Sequence, residues 1–283
     1  MGRVVLLGVK GGPAIRPGSS MPTSHLVQMA GANILVDAGL GVSSGVIAQG
    51  VGLHEIDVIY ITHMHSDHYL ELGPLLHTAW TAGLKKNITV VGPSGLNAYL
   101  EGFWASMRDD IELRIEDEGR PDVRRMVDLE LLTPGDVPSV RGVSVSALRN
   151  AHPPLTESYA LRFEAGGKSV VFSGDTAFLE AMIPFARGAG LLVHEAMLMD
   201  GVDALCARVG NGDDRLKTHL LRSHCPAART GVIAREAGVG ILALNHLIPN
   251  DDPAYTAEHW KAEVAREWNG DVRVGRDSLV IDI

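Results

Sequence analysis

The side chains best suited to chemistry lie together in the run His63-Met64-His65-Ser66-Asp67-His68. Imidazole nitrogens and carboxylate oxygens are ligands that zinc binds at roughly 2.0–2.2 Å. Residues two apart in an extended segment point to the same side, so His63 and His65 can hold one ion together. Asp67 and His68 follow as the chain turns, and they can reach a second ion. Because burying these four side chains without partners would be costly, the run predicts a metal site.

Three more ligand-type residues stand at the ends of apolar, strand-like runs elsewhere in the chain. These residues are His152 after Val143–Leu148, Asp175 after Ser169–Phe172, and His246 after Ile241–Leu244. Any one of them alone would be an ordinary surface or core residue. The four residues of the first run cannot complete two sites, and loops after strands are where functional side chains concentrate. The combined set therefore predicts a two-metal centre.

The elements that must position these ligands form two similar halves. In each half, apolar strand-like runs are followed by helical patterns, with Gly and Pro marking the turns. The predicted helices are Val42–Gln49, Leu70–Thr81, Ser94–Trp104, Ala177–Arg187, Ala227–Ala237 and Thr256–Trp268. This order predicts two β-sheets that pack together, with helices outside them.

The chain contains no stretch that resembles an interdomain linker or a low-complexity block. We therefore expect a single domain over residues 1–283, whose 46% hydrophobic residues can fill a large core. A densely charged stretch at about 108–128 stands apart, and we interpret it as a surface insertion. It is either a solvated excursion or a partial cover over the reaction centre that contacts substrate.

The overall charge argues against nucleic acid as a partner. The net charge is −9 with the histidines neutral, whereas phosphate contacts need clustered Lys and Arg. The two cysteines, Cys206 and Cys225, do not indicate a disulfide framework, which fits a reducing compartment. No stretch is long and apolar enough to indicate a signal peptide or a membrane span. We expect a soluble cytoplasmic protein without membrane contacts.

The pattern H-x-H-x-D-H at His63–His68 resembles the signature of the metallo-β-lactamase-fold hydrolase superfamily. The resemblance extends over nearly the whole chain and is closest to the branch that holds ribonuclease Z and the arylsulfatase-like enzymes. His224 and the Ala-rich helix after it, ending at His246, are similar to the C-terminal signature of that branch. The other matching motifs are Val36-Asp37-Ala38-Gly39, Ser173-Gly174-Asp175-Thr176 and His194-Glu195-Ala196.

The resemblance implies an α+β fold of the αββα type, in which two mixed β-sheets pack together and helices cover their outer faces. It also implies a metal-dependent hydrolase with two zinc ions, although iron or manganese can occupy such sites. By the family pattern the ligands are His63, His65 and His152 for the first ion, Asp67, His68 and His246 for the second, and Asp175 as the bridge. A hydroxide between the ions would be the nucleophile, because metal coordination lowers the pKa of water to about 7. The catalytic residues would be Asp67, through the metal, and His224, as proton donor or oxyanion stabiliser.

Several neighbouring residues are expected to lie outside the ligand set. Asp37 is expected to fix a turn or a ligand histidine without touching metal. Glu195 is expected either to orient a ligand or to form a structural salt bridge. The remaining histidines are assigned by default to surface or core, namely His25, His54, His77, His219 and His259.

The metal centre alone does not select a substrate, so three functions stay open. Ribonuclease Z carries a tRNA-binding arm between the ligands that match His152 and Asp175, and here that interval is too short for one. The first hypothesis is therefore a hydrolase of a small-molecule sulfate ester, phosphodiester or lactone-like bond. The second is a ribonuclease Z-type nuclease without the arm. The third is a non-catalytic metal-binding or sensor protein. Related enzymes often form dimers, which makes a homodimer an expectation.

Overall fold

The structure is a computed structural model that describes residues 2–283 of the chain. Its strands form two sheets of seven strands each. The N-terminal sheet contains β1 (Arg3–Gly8), β2 (Ser24–Met29), β3 (Ala32–Ala38), β4 (Val58–Tyr60), β5 (Ile88–Gly92), β6 (Val127–Leu131) and β14 (Leu279–Asp282). The C-terminal sheet contains β7 (Gly135–Val140), β8 (Val143–Arg149), β9 (Tyr159–Ala165), β10 (Lys168–Phe172), β11 (Leu191–Met197), β12 (Ile241–Ile248) and β13 (Asp271–Val274).

Each sheet is half antiparallel and half parallel. In the N-terminal sheet the order is β14-β1-β2-β3-β4-β5-β6, antiparallel up to β3 and parallel from there. In the C-terminal sheet the order is β7-β8-β9-β10-β11-β12-β13, antiparallel up to β10 and parallel from there. β8, β10 and β12 therefore run in the same direction, and their carboxyl ends lie at one edge. That edge is where open α/β sheets place their ligands.

Alternation along the strands builds three apolar layers. On β1, Val4 and Leu6 face the other sheet, whereas Val5 and Leu7 face the helices. Between the sheets, Tyr60 and Phe163 meet edge to face with ring centroids 5.3 Å apart. Because both faces of the central strands are covered, these strands are apolar along nearly their whole length.

Ten helices complete the described chain. Those packed on the N-terminal half are α1 (Val42–Ala48), α2 (Ser66–Tyr69), α3 (Leu72–Thr81), α4 (Gly95–Ser106) and α5 (Arg108–Glu118). Those of the C-terminal half are α6 (Met182–Phe185), α7 (Met199–Val209), α8 (Arg215–Ser223), α9 (Ala227–Ala237) and α10 (Ala257–Ala265). Short 3₁₀ turns lie at Leu53–Glu55 and Val123–Arg125. The predicted αββα sandwich of two mixed sheets is confirmed.

The helix predicted over Ala177–Arg187 is wrong, because only Met182–Phe185 is helical. The start of the segment is bonded to the ligand-bearing loops instead, since the Ala177 N–H donates to the Ala151 carbonyl at 2.8 Å. Pro184 also lacks the N–H that a helix interior needs, so it is tolerated only in the first turn. The apolar residues of this segment pack under α9 without forming a long helix.

Two helices that the sequence did not predict, α7 and α8, lie beside the ligand-bearing edge. The spacing of Leu216, Leu220 and Ser223 on one face of α8 is a helical signal that could have revealed it. Among residues 2–283, no helix combines the length and hydrophobicity needed to cross a membrane.

Candidate metal centre and substrate cavity

All seven predicted ligands converge at the edge where β4, β8, β10 and β12 end. One group of ligand atoms belongs to His63, His65, His152 and Asp175, and a second belongs to Asp67, His68 and His246. Within each group the ligand atoms lie within 4.8 Å of one another. The first run supplies ligands from the N-terminal sheet, and the other three residues supply them from the C-terminal sheet. The centre therefore lies across the junction between the two sheets.

Hydrogen bonds on the outer sides of the rings aim the first group at one point. His152 Nδ1 donates to the Ser223 carbonyl at 2.9 Å, and His63 Nδ1 bonds to Thr62 Oγ1 at 3.0 Å. Their Nε2 atoms face His65 Nδ1 at 2.9 Å and 3.2 Å. Because Nδ1 carries the proton in His152 and bonds outward in His63, the Nε2 lone pairs are left free to bind a cation.

The second group is arranged around two carboxylates. His68 Nδ1 donates to Asp37 Oδ2 at 2.7 Å, and its Nε2 atom lies 3.5 Å from Asp67 Oδ2. His246 Nε2 lies 3.2 Å from the same Asp67 oxygen and 3.0 Å from Asp175 Oδ2. Asp175 Oδ2 also lies 3.6 Å from His63 Nε2 of the first group. One carboxylate oxygen therefore faces both groups.

Unsatisfied buried atoms show that this donor set fits metal ions. Among the described residues, His68 Nε2 and Asp175 Oδ1 are buried without a hydrogen-bond partner. Imidazole lone pairs that point at one another repel, and leaving buried polar atoms unpaired costs free energy. A divalent cation placed among them removes both problems. Mixed imidazole and carboxylate ligands suit zinc, and also iron and manganese.

The protonation states favour metal binding at most of these ligands. Burial and the neighbouring charge of His68 hold the pKa of His63 well below its ordinary value, and burial lowers that of His152. Although burial opposes it, the surrounding histidines hold the pKa of Asp175 well below its usual range. His68 is the exception: against the effect of burial, the carboxylates of Asp175, Asp37 and Asp67 raise its pKa. A metal ion has to displace that proton.

Two of the central side chains, Asp37 and His246, sit on β-bulges. Asp37 is the extra residue between the pairs Ser24–Ala38 and His25–Val36, and its φ is 63°. His246 is the extra residue on β12 where the pairing with β11 shifts, and its φ is 43°. A bulge redirects a side chain that regular alternation would send elsewhere. Asp37 bonds to His68, one of the predicted ligands, and to Thr62.

His224 and Glu195 form a buried pair beside the second group. His224 Nδ1 lies 3.1 Å from Glu195 Oε1, which also accepts from the Thr176 N–H at 2.7 Å. The His224 ring stacks on that of His246 with centroids 5.3 Å apart. Burial lowers the pKa of His224, but the Glu195 carboxylate outweighs it and the pKa is raised. The contact that Glu195 makes is therefore with His224 and not with a predicted metal ligand.

A cavity of about 360 Å³ opens over the metal ligands. One wall is apolar and comes from α7, α8 and the end of β12, with Leu205, Val209, Leu216, Leu220 and Ile248. The opposite wall is the loop after β1, which contributes Lys10, Gly11, Gly12, Pro13, Ala14 and Arg16. His65, Asp67, Asp175, His224 and His246 reach the cavity from the centre. The Gly12 N–H also donates to Asp67 Oδ2 at 2.8 Å and so fixes that carboxylate.

Sequence reasoning missed three residues of this cavity: Lys10, Arg16 and His219. His219 had been assigned to surface or core, yet its ring lies 6.1 Å from those of both His65 and His152. Of the other unassigned histidines, His25 is a core residue stacked on Phe172 at 5.0 Å. The described residues of the charged stretch 108–128 do not line the cavity, because most of the stretch forms α5 and the turn after it.

The sandwich and its histidine–aspartate edge define a class of protein: a metal-dependent hydrolase with the metallo-β-lactamase fold. Solved structures agree with the fold along the full chain. The metallo-β-lactamase fold protein YhfI from Bacillus subtilis superposes with a TM-score of 0.73 at 23% identity, covering 99% of this chain and 98% of that one. Zn²⁺-bound PqqB from Methylobacterium extorquens gives a TM-score of 0.68 at 19% identity, with coverages of 99% and 100%.

Sequence comparison identifies the family within this class of hydrolases. The family model described as Anti-Pycsar protein Apyc1 matches residues 3–240. A relative named Ribonuclease Z from Mycolicibacterium gilvum (strain PYR-GCK) is 31% identical over 277 residues, 97% of this chain and 93% of the relative. The chain therefore belongs to the Apyc1 family, within the ribonuclease Z branch of the metallo-β-lactamase superfamily.

Proposed function

We propose that this protein is a two-zinc phosphodiesterase of the ribonuclease Z type. In this proposal His63, His65 and His152 hold one ion, and Asp67, His68 and His246 hold the other. Asp175 bridges the two, because its Oδ2 faces both groups. The relative PqqB is described as Zn²⁺-bound, which supports zinc as the first metal to test.

When bound, two such ions lower the pKa of a coordinated water and stabilise negative charge on phosphoryl oxygens. The residues of the chain have separate tasks around them. His224 carries a proton that can pass to the leaving oxygen, and Glu195 holds its ring in place from the far side. The Leu205 and Leu216 wall keeps water away from one side of the cavity, which strengthens electrostatic interactions inside it.

One observation carries the choice of a phosphodiester. Asp175, His224 and His246 offer ligand or donor atoms to the same point at the cavity floor, and Lys10 lines the wall beside them. An anionic diester placed there meets metal-binding atoms and a protonated imidazole together. A neutral lactone brings no negative charge to this point.

The test is a hydrolysis screen of the zinc-loaded protein on three model substrates: bis(p-nitrophenyl) phosphate, p-nitrophenyl sulfate and an aryl lactone. We expect turnover of the diester, loss of turnover with a chelator, and recovery on adding zinc. Asp67→Asn should abolish turnover with the fold intact by circular dichroism, whereas the exposed Asp128→Asn should not. Turnover of the sulfate or the lactone in preference to the diester would refute the proposal. An inactive protein that still binds zinc would support the sensor hypothesis.

The names of the relatives favour RNA as the phosphodiester that is cleaved. The alignment with the Mycolicibacterium gilvum relative spans 277 residues, which are 97% of this chain and 93% of the relative. It therefore contains no large insertion. The short turn between β9 and β10 therefore does not separate this chain from a relative named Ribonuclease Z. The sequence-based preference for a small-molecule ester is not confirmed.

A small-molecule diester is the second candidate, favoured by one feature of the cavity. The cavity holds about 360 Å³ between α7–α8 and the loop after β1, which suits a nucleotide-sized ligand better than a helix of RNA. Cleavage of a tRNA precursor at its 3′ side, compared at equal zinc with a short dinucleotide, decides between the two. Efficient cleavage of the dinucleotide alone would exclude the nuclease function.

A further inference from the structure

Lys10 occupies an unusual place for a lysine, in the seam between the two sheets. It forms isolated bridges to Pro22 on one side and to Leu247 of β12 on the other, and its N–H donates to the Met21 carbonyl at 2.9 Å. Only 4% of the residue is exposed, and it lines the cavity. Its backbone is therefore held by both sheets, and its side chain has little freedom to move out to bulk water.

The ammonium group of Lys10 has no counterion of its own among residues 2–283. Its Nζ donates to the Gly11 carbonyl at 2.8 Å, which uses one of three N–H donors. Asp251, a carboxylate outside the metal centre whose charge acts on Lys10, is already bonded to Arg16 at 3.0 Å and to Arg208 at 2.7 Å. Buried lysines are almost always paired, because an unpaired charge costs free energy away from water.

We propose that Lys10 binds a second anionic group of the substrate, next to the diester that is cleaved; this inference rests on the proposed phosphodiesterase function. The metal ligands receive the scissile group at the cavity floor, and the α7–α8 wall is apolar. The remaining negative charge that Lys10 needs must arrive with the ligand. The preferred substrate class is then a phosphodiester flanked by another phosphate, as in one linkage of a nucleotide chain or a nucleotide diester with a terminal phosphate.

A purely structural role for Lys10 makes a different prediction. If Nζ served only to hold the Gly11 turn, its replacement would lower stability and weaken all ligands alike. If Nζ binds a second anion, replacement removes affinity only for ligands that carry one. The two roles are therefore distinguished by measuring the affinity of one variant for two ligands, of which only one carries a second anion.

The experiment is calorimetric binding of thymidine 3′,5′-bisphosphate and thymidine 5′-monophosphate to the zinc-loaded protein. We expect the wild type to bind the bisphosphate about tenfold more tightly, as a charge-assisted hydrogen bond allows. Lys10→Met should reduce this preference to near unity and leave monophosphate affinity within about twofold. Lys10→Arg should retain most of the preference. Lys85→Met, which removes an exposed lysine far from the cavity wall, is the matched control.

If Lys10→Met does not fold, Lys10→Gln provides a second neutral variant, because the glutamine amide can still donate to the Gly11 carbonyl. An unchanged bisphosphate preference in either neutral variant, or equal affinities in the wild type, would overturn the assignment of Lys10. Both ligands are monoesters and their binding is measured without turnover. A wild-type protein that binds them as expected but cleaves no diester would refute the proposed function and leave this assignment standing.

Discussion

At the scale of single residues, the chemistry of the centre depends on side chains that hold the ligands from behind. Asp37 is the clearest case, because it accepts from His68 Nδ1 at 2.7 Å and from the Thr62 N–H at 2.8 Å without facing a metal group. Partners of this kind fix the tautomer and direction of a ligand imidazole, and losing one commonly lowers metal affinity 10- to 100-fold.

Asp37→Asn should therefore weaken zinc binding at the second site by about 10- to 100-fold while the first site keeps its affinity. Competition with a chromophoric chelator measures the two sites separately. Asp128→Asn, a change of an exposed aspartate on β6, should leave both affinities unchanged. Equal zinc affinity in Asp37→Asn and wild type would show that His68 does not need this carboxylate to bind metal.

Replacing His224 should affect catalysis and not zinc binding, because we assign this residue to proton transfer and not to metal binding. His224→Asn should lower kcat by roughly 10²- to 10⁴-fold, the usual contribution of a positioned acid or base. Zinc content should stay at the wild-type value, as measured by elemental analysis of the same preparation. A loss of zinc together with activity would instead make His224 a ligand. His54→Asn at an exposed position serves as the control.

The sequence alone predicts some features of the centre and does not predict others. The convergence of the predicted ligands at one edge could be foreseen, because His63–His68 is a local motif and the other three follow apolar runs. The cavity wall could not, because Lys10 reads as an ordinary exposed lysine and only the packing of two distant strands buries it. Nor does the sequence mark the bulges at Asp37 and His246, since alternation assigns both residues a regular strand direction.

At the scale of elements, one buried carboxylate joins the two walls of the cavity. Asp251 follows β12, and its side chain bonds to Arg16 in the loop after β1 and to Arg208 on α7. Its carboxylate is only 3% exposed. The neighbouring Asn250 Oδ1 also accepts from the Ser20 N–H at 2.7 Å, so the same turn holds the loop twice. The cavity walls are thus connected to each other as well as to the sheets.

Asp251→Asn keeps the size of the side chain and removes the charge that holds both arginines. We expect a loss of about 1–3 kcal/mol in the free energy of unfolding, the typical cost of removing hydrogen bonds to a charged group. Because Asp251 joins the two cavity walls and is not one of the predicted metal ligands, KM should rise severalfold with little change in kcat. Asp213→Asn removes a solvent-exposed pair with Arg215 and should leave the free energy of unfolding almost unchanged, because exposed ion pairs contribute little. Equal effects of the two variants would contradict this account.

At the scale of the whole molecule, the metal centre connects the two sheets chemically. Its ligands come from the loop after β4 in one sheet and from β8, β10 and β12 in the other. Without metal, His68 Nε2 and Asp175 Oδ1 are buried without a hydrogen-bond partner where the sheets meet. Metal ions that bind only the folded state therefore stabilise the sandwich as a unit, in proportion to the logarithm of their free concentration.

Removing the metal should accordingly lower the melting temperature of the entire chain in one cooperative transition. At a free zinc concentration 100 times the Kd, each site contributes about 2.7 kcal/mol. For a chain of this size each kcal/mol shifts Tm by roughly 2–4 °C, so two sites lost to a chelator should lower Tm by about 10–20 °C. Adding zinc back should restore it. In Asp67→Asn, which retains mainly the first site, the same treatment should have about half the effect. If calorimetry finds the same Tm with and without chelator, the two groups do not hold ions that join the sheets.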